Sequence, residues 1–213
     1  MKNIQTILFD LDGTLLNTNE LIIQSFMHTF NQYELDFTRE QIVEFNGPPL
    51  VETFEKIDPD QAQEMIKVYR DFNHAEHETY VTAFPGVMET LEKLQALDVK
   101  VGIVTTKLRY AVNLGMNITG LDQYFDTVIT LEDVTHAKPH PEPVLKAMEE
   151  LGGIAETTLM IGDNAQDIEA GQHAGVQTAG VAWSQRGAAY LEQFNPTYML
   201  QTMTDLLGLV DQK

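Results

Sequence analysis

The feature that most constrains the fold is an alternation of short apolar runs with helical patterns, broken once by a long helix-only stretch. The apolar runs lie at 6–9, 99–105, 127–130, 158–161 and 177–182. Each is brief, rich in β-branched residues and closed by turn or charged residues, which reads as a buried strand. Between the later runs, residues 86–97, 108–117, 141–151 and 166–174 carry helical patterns. Pro85-Gly86 opens the first of these and Gly152-Gly153 ends the third. This alternation predicts an α/β fold, a doubly wound (Rossmann-like) parallel sheet core with helices on both faces.

Residues 17–83 break the alternation and read as helices only. Ile22, Phe26 and Phe30 fall four apart, with Tyr33 three further on, which draws one apolar face. Pro48-Pro49 starts a second helix before Val51, Phe54 and Ile57, and Pro59 opens a long polar helix to about Glu78. The expected organisation is a core domain at 1–16 and 84–213 and an inserted small helical cap domain at 17–83. Hinges are expected near 15–18 and 81–85.

Charge narrows the function classes. The formal net charge of -19 gives no basic face for nucleic acid. It also repels free anions, so an anionic substrate needs a metal or a few placed cations. The chain has only 13 Lys+Arg, so each cation near a candidate site is informative. It has no Cys, which removes disulfides and thiolate metal sites. No signal peptide and no apolar run long enough for a membrane helix stand out. The cytoplasm is the expected compartment, without membrane or nucleic-acid partners.

Open parallel sheets place ligands at the carboxyl ends of their strands. Asp10, Asp12, Gly13 and Thr14 follow the first predicted strand, and Thr105, Thr106 and Lys107 end or follow the second. Glu132, Asp133 and Lys138 follow the third, and Gly162, Asp163 and Asn164 the fourth. Carboxylates gathered on one rim repel one another unless a cation joins them, and oxygen ligands of this kind suit Mg²⁺. Gly13 lets the chain turn and Thr14 is expected to hydrogen-bond within that turn. Taken alone, Asp12-Gly13 also reads as a simple turn.

The longer pattern adds a resemblance. Asp10-Leu11-Asp12-Gly13-Thr14-Leu15-Leu16 resembles the first motif of the haloacid dehalogenase superfamily of phosphohydrolases. The apolar run ending in Thr105 resembles its second motif, Lys138-Pro139 its third, and Gly162-Asp163-Asn164 through Asp167 its fourth. All four occur in order, each at a predicted strand end or loop. Within the superfamily the chain resembles the phosphoglycolate phosphatase branch, and in that branch the bacterial inorganic pyrophosphatases. The segments at 19–23, 101–107, 136–144 and 180–184 carry this finer likeness.

The resemblance implies roles. Asp10 is the nucleophile that forms an aspartyl-phosphate, and Asp12 the general acid and then base. Asp10, the main-chain carbonyl of Asp12, and Asp163 hold Mg²⁺. Thr105 bonds a phosphoryl oxygen, Lys138 offsets the gathered negative charge, and Asp167 orients Lys138 or a metal-bound water. Thr106 departs from the commoner pattern, since many relatives have Asn there. Thr106, Lys107, Arg109, Gly47 and Pro48 are the expected substrate-binding residues, with Arg186 a further candidate cation. The segment at 47–50 reads equally as a helix start or as a cap loop facing the site.

The expected substrate is small and phosphorylated, with inorganic pyrophosphate ahead of 2-phosphoglycolate. A sugar-phosphate phosphatase, a phosphomutase, a dehalogenase and a non-enzymatic binding module are the rivals. A monomer or weak homodimer is expected. His74 and His77 lie in a polar run and read as a solvated helix face. His136 and His140 flank Lys138 and read as loop support. Trp183 reads as packing.

Overall fold

A computed structural model describes residues 4–210. The first and last three residues of the expected core domain lie outside that range. Six parallel strands form the main sheet: β1 (Thr6–Phe9), β4 (Lys100–Val104), β5 (Thr127–Ile129), β6 (Thr158–Gly162), β7 (Gln177–Val181) and β8 (Tyr198–Leu200). Their spatial order is β5-β4-β1-β6-β7-β8. The chain builds outward from β1 to one edge, then returns beside β1 and builds to the other. The order therefore reverses between β1 and β6, and a crevice opens there at the carboxyl ends.

The helices that cover this sheet are α6 (Val87–Ala96), α7 (Arg109–Thr119), α8 (Glu142–Glu150), α9 (Ala165–His173) and the short α10 (Ala188–Glu192). Strand residues alternate between its two faces. Ile7, Phe9, Leu159 and Ile161 enter one apolar cluster, while Leu8 and Met160 enter another with Val104 and Val144. Covering both faces explains why the strands read as continuous apolar runs. β8 was not legible, because Tyr198–Leu200 is three residues long and follows Asn195-Pro196, a turn signal.

Between β1 and α6 the chain forms α1 (Asn19–Gln32), α2 (Arg39–Val43), α3 (Leu50–Ile57), α4 (Ala62–Ala75) and α5 (His77–Tyr80). These helices have their own core, in which the Phe26 ring meets Phe30, Phe54 and Tyr69 at centroid distances of 5.6, 5.5 and 4.8 Å. The apolar stripe of Ile22, Phe26 and Phe30 faces that core or packs against it. The expected long helix from Pro59 to Glu78 is interrupted. It ends at Ala75, and α5 starts again at His77 with a new rotation. The segments entering and leaving this layer pair as a two-stranded antiparallel ribbon, β2 (Leu16–Asn17) with β3 (Thr82–Ala83). Among the described residues, no helix is long and apolar enough to cross a membrane.

Candidate active site

Asp10 follows β1 directly. Its N–H donates to the Ile161 carbonyl at 2.8 Å, which fixes it at the reversal point between β1 and β6. Gly13 donates to the Leu16 carbonyl at 2.8 Å and closes the turn beyond. Its φ is +83°, and a Cβ there would lie 2.3 Å from Asp163 Oδ2. Glycine is therefore required both by the backbone and by the carboxylate that occupies the space. The Thr14 hydroxyl does not bond within the turn as expected; it has no partner among the described residues. Its carbonyl accepts the Trp183 indole N–H at 3.3 Å, and Trp183 packs beside Phe84.

Lys138 is the centre of the charge arrangement. Its Nζ donates to Asp10 Oδ1 at 2.6 Å, Asp167 Oδ1 at 2.5 Å and the Val104 carbonyl at 2.9 Å. Three protons meet three acceptors, so this buried ammonium is fully satisfied. The other Asp167 oxygen accepts the Asn164 N–H at 3.0 Å and caps α9. Burial alone would lower the Lys138 pKa, but the Asp10 and Asp167 carboxylates outweigh it and hold the group charged. Burial raises the Asp10 pKa to about 7 against the opposing pull of Lys138. Burial, followed by the charges of Asp10 and Asp167, raises Asp163 well above the usual carboxylate range.

These groups fit a divalent cation. Asp10, Asp163 and Asp167 present oxygens within 4.8 Å of one another. Three buried carboxylates face one ammonium, and the raised pKa values of Asp10 and Asp163 reflect buried carboxylates without enough positive charge beside them. Both Asp167 oxygens already have donors, so Asp10 and Asp163 are the carboxylates left to take an ion. A second group, His136, His140 and Glu142, is a poorer candidate. Glu142 already accepts N–H groups from Thr135 and His136, the His140 Nδ1 accepts the Glu142 N–H, and both rings are exposed.

Asp12 and Thr105 stand beside this centre. The Asp12 carboxylate lies 2.8 Å from Lys107 Nζ. Thr105 Oγ1 accepts the Lys107 N–H at 3.1 Å, which leaves its own proton to donate elsewhere. A cavity of about 120 Å³ opens over these residues. Its floor is Asp10, Asp12, Thr105, Lys107, Lys138 and Asp163, and Ile22, Phe26, Phe45, Leu50 and Val51 give it an apolar wall from the helical layer. Gly47, Pro48 and Thr106 also line it.

Arg109 is not among the lining residues. Its guanidinium donates to the Val128 carbonyl at 2.8 Å and pairs with Asp133, while its N–H donates to Glu132 at 2.6 Å. Glu132 and Asp133 therefore serve the start of α7 rather than the cleft. Neither His136 nor His140 lines the cleft. Arg70, Tyr69 and Asn73 of α4 do line it, and no motif had singled them out.

Three core loops grip the segment before α3. Thr106 Oγ1 donates to the Gly47 carbonyl at 3.0 Å and Asn164 Nδ2 to the Asn46 carbonyl at 2.8 Å. Arg186 donates to the Glu44 carbonyl at 2.9 Å, pairs with the Glu44 carboxylate at 3.1 Å and lies over the Tyr190 ring. Gly47 has φ +118°, and a Cβ there would sit 2.5 Å from Asn164 Nδ2. The Thr106 hydroxyl thus holds the helical layer closed over the cleft.

His77 also departs from expectation. His74 is exposed, but His77 is only 1% exposed. The break at Glu76 turns it inward toward Gly115 of α7. Its Nδ1 lies 3.4 Å from the Asn73 carbonyl, and its Nε2 has no partner among the described residues. Burial, and then the charge of Lys107, lower its pKa to about 4.

A doubly wound sheet whose reversal point gathers carboxylates, a lysine and a threonine beneath a helical cover has the make-up of a hydrolase. Residues 7–181 match the family model described as haloacid dehalogenase-like hydrolase. A protein from Oceanobacillus iheyensis named pyrophosphatase PpaX is 54% identical over 208 residues, covering 98% of this chain and 97% of its own. A protein of the same name from Anoxybacillus flavithermus is 54% identical over 209 residues, with 98% and 97% covered. A solved hydrolase of the haloacid dehalogenase-like family from Streptococcus pneumoniae superimposes with a TM-score of 0.86 at 26% identity, covering 98% of this chain and 99% of that one. The chain belongs to the haloacid dehalogenase-like hydrolase family. It is therefore an enzyme, a hydrolase.

Proposed function

We propose that this enzyme is a Mg²⁺-dependent inorganic pyrophosphatase that works through an aspartyl-phosphate on Asp10. The observation that carries the reading is the buried set of Asp10, Lys138, Asp167 and Asp163 at the reversal point, in a chain 54% identical to proteins named pyrophosphatase. Residues 17–83 act as the cap domain and residues 1–16 and 84–213 as the core domain. The working form is a cytoplasmic monomer or weak homodimer.

Asp10 attacks the near phosphorus. The new Asp10 O–P bond forms as the bond to the bridging oxygen breaks, and Asp12 supplies the proton that the leaving phosphate takes. Water then attacks the aspartyl-phosphate, Asp12 accepts its proton, and the carboxylate of Asp10 and a second phosphate are released. Thr105 donates its free hydroxyl proton to a phosphoryl oxygen. Lys138, held by Asp167, stabilises the negative charge gathered at Asp10 and the phosphoryl group. Asp10, Asp163 and the Asp12 carbonyl are the groups that would hold Mg²⁺, which supplies charge neutralisation of nucleophile and phosphate oxygens when bound.

The test is kcat/KM for pyrophosphate and for 2-phosphoglycolate at saturating Mg²⁺, with an EDTA-treated control. Pyrophosphate is expected to give the higher value and the control no turnover. A higher value for phosphoglycolate would overturn the substrate, and full activity of the metal-free enzyme would overturn the metal.

A further inference from the structure

The chain holds 32 acidic residues against 13 Lys+Arg, so its cations are in demand. Among the described residues, every lysine and arginine except Lys56 and Arg70 has an ion-pair or carbonyl partner. Lys56 is exposed on α3 and does not line the cleft. Arg70 is half-buried on α4 and does line it. Among the described residues Arg70 is thus a cation without a protein partner that lines the cavity holding Asp10, Asp12 and Asp163, and a half-buried guanidinium there is free to take an incoming anion.

Its neighbours narrow what that anion is. Tyr69 and Asn73, on the same helix, are both tied to Ser25, with Asn73 Nδ2 donating to Ser25 Oγ at 3.2 Å. They fix α4 but carry no charge. Ile22, Phe26, Phe45, Leu50 and Val51 make most of the remaining cap wall apolar, and Asn46, which also lines it, carries no charge. Across the cleft, Lys107 is held on Asp12. Among the described residues, the one unengaged cation that lines the cap side of the cleft is therefore Arg70. Arg70 also borders a second, outer cavity with Gln63, His74 and Tyr110, so the residue is shared by the cleft and that outer space.

We propose that Arg70 binds the distal anionic group of the substrate, the leaving phosphate when the substrate is pyrophosphate, and so selects substrates whose leaving group is charged. The planar guanidinium matches two phosphate oxygens at once. The proposal rests on the phosphohydrolase reading of the cleft but not on pyrophosphate as the particular substrate.

The experiment compares wild type, Arg70→Ala and Arg70→Lys on pyrophosphate and on p-nitrophenyl phosphate, whose leaving group carries no charged far end. The readout is the ratio of the two kcat/KM values. Losing a charge-assisted contact lowers this ratio by roughly 10- to 100-fold in Arg70→Ala, mostly through KM for pyrophosphate. Arg70→Lys recovers part of it, since an ammonium keeps the charge but not the fork. A ratio within threefold of wild type overturns the proposal, and so does an equal loss on both substrates, which marks a packing role. If wild type does not hydrolyse pyrophosphate, the pyrophosphatase reading fails separately. The same ratio is then taken with 2-phosphoglycolate, whose carboxylate replaces the distal phosphate, and is judged by the same two outcomes.

Discussion

His77 gives the protein a defined weakness to acid. The folded chain holds it neutral with a pKa of about 4, because burial and the Lys107 ammonium disfavour the imidazolium, whereas the free side chain titrates at 6.5. Between those values the unfolded chain binds a proton that the folded chain refuses. The associated stability is fully present above pH 6.5 and is lost as pH falls toward 4. The linkage relation puts the loss at about 2 kcal/mol at pH 5 and about 3 kcal/mol well below pH 4. His77→Gln removes the titration while keeping a polar side chain of comparable reach. The assay is urea unfolding of both proteins at pH 7 and pH 5, followed by far-ultraviolet circular dichroism. Wild type is expected to lose about 2 kcal/mol more than the variant over that interval, other titrations cancelling in the difference. Equal losses would refute the reasoning. Because His77 stands just before β3, the acid-sensitive part is the base of the cap.

Three further outcomes follow from the site. Asp10→Asn lowers turnover by roughly 10³-fold or more while the circular dichroism spectrum is retained; phosphate release within tenfold of wild type would sink the nucleophile assignment. Lys138→Ala lowers kcat by about 10²-fold or more, and Lys138→Arg recovers little because a planar fork cannot meet the three acceptors placed around one nitrogen; steady-state kinetics of the two variants checks both statements. Gly47→Ala puts a methyl against Asn164 Nδ2 on a backbone at φ +118°, and this strain on the closed cap lowers kcat/KM by roughly 5- to 100-fold. An unchanged value would show that the closed arrangement does not matter to turnover.

The floor of the cleft was legible because it depends on strand ends. A short apolar run marks where a parallel strand stops, and the residue after it has little choice but to face the crevice. Asp10, Thr105 and Asp163 were found that way, and the structure brings them together with Lys138 and Asp167. Residues on helices were less legible, since each step along a helix turns the side chain by about 100°. On α7, Tyr110 lines the cleft while its neighbour Arg109 turns back to Val128 and Asp133. The cap hid more. Whether His77 is solvated or buried depends on a break at Glu76 that no Gly or Pro announces. Arg70 sits in a polar run whose cleft-facing side is set only by how α4 packs on α1 and α3. The Thr38-x-x-Gln41 box does announce α2, and the capping bonds are present, but the helix is five residues long and carries little periodicity.

The grip of the core on the cap is made on main-chain oxygens. Thr106, Asn164 and Arg186 take the carbonyls of Gly47, Asn46 and Glu44, atoms that every amino acid supplies. The side chains of that loop are therefore largely released from the task of holding the cover shut, apart from Glu44, whose carboxylate also pairs with Arg186, and Gly47, where there is no room for one. A lineage can change what residues 45–46 and 48–50 present to an incoming molecule and leave these carbonyl contacts intact. In this architecture the choice of substrate and the act of enclosing it can diverge independently.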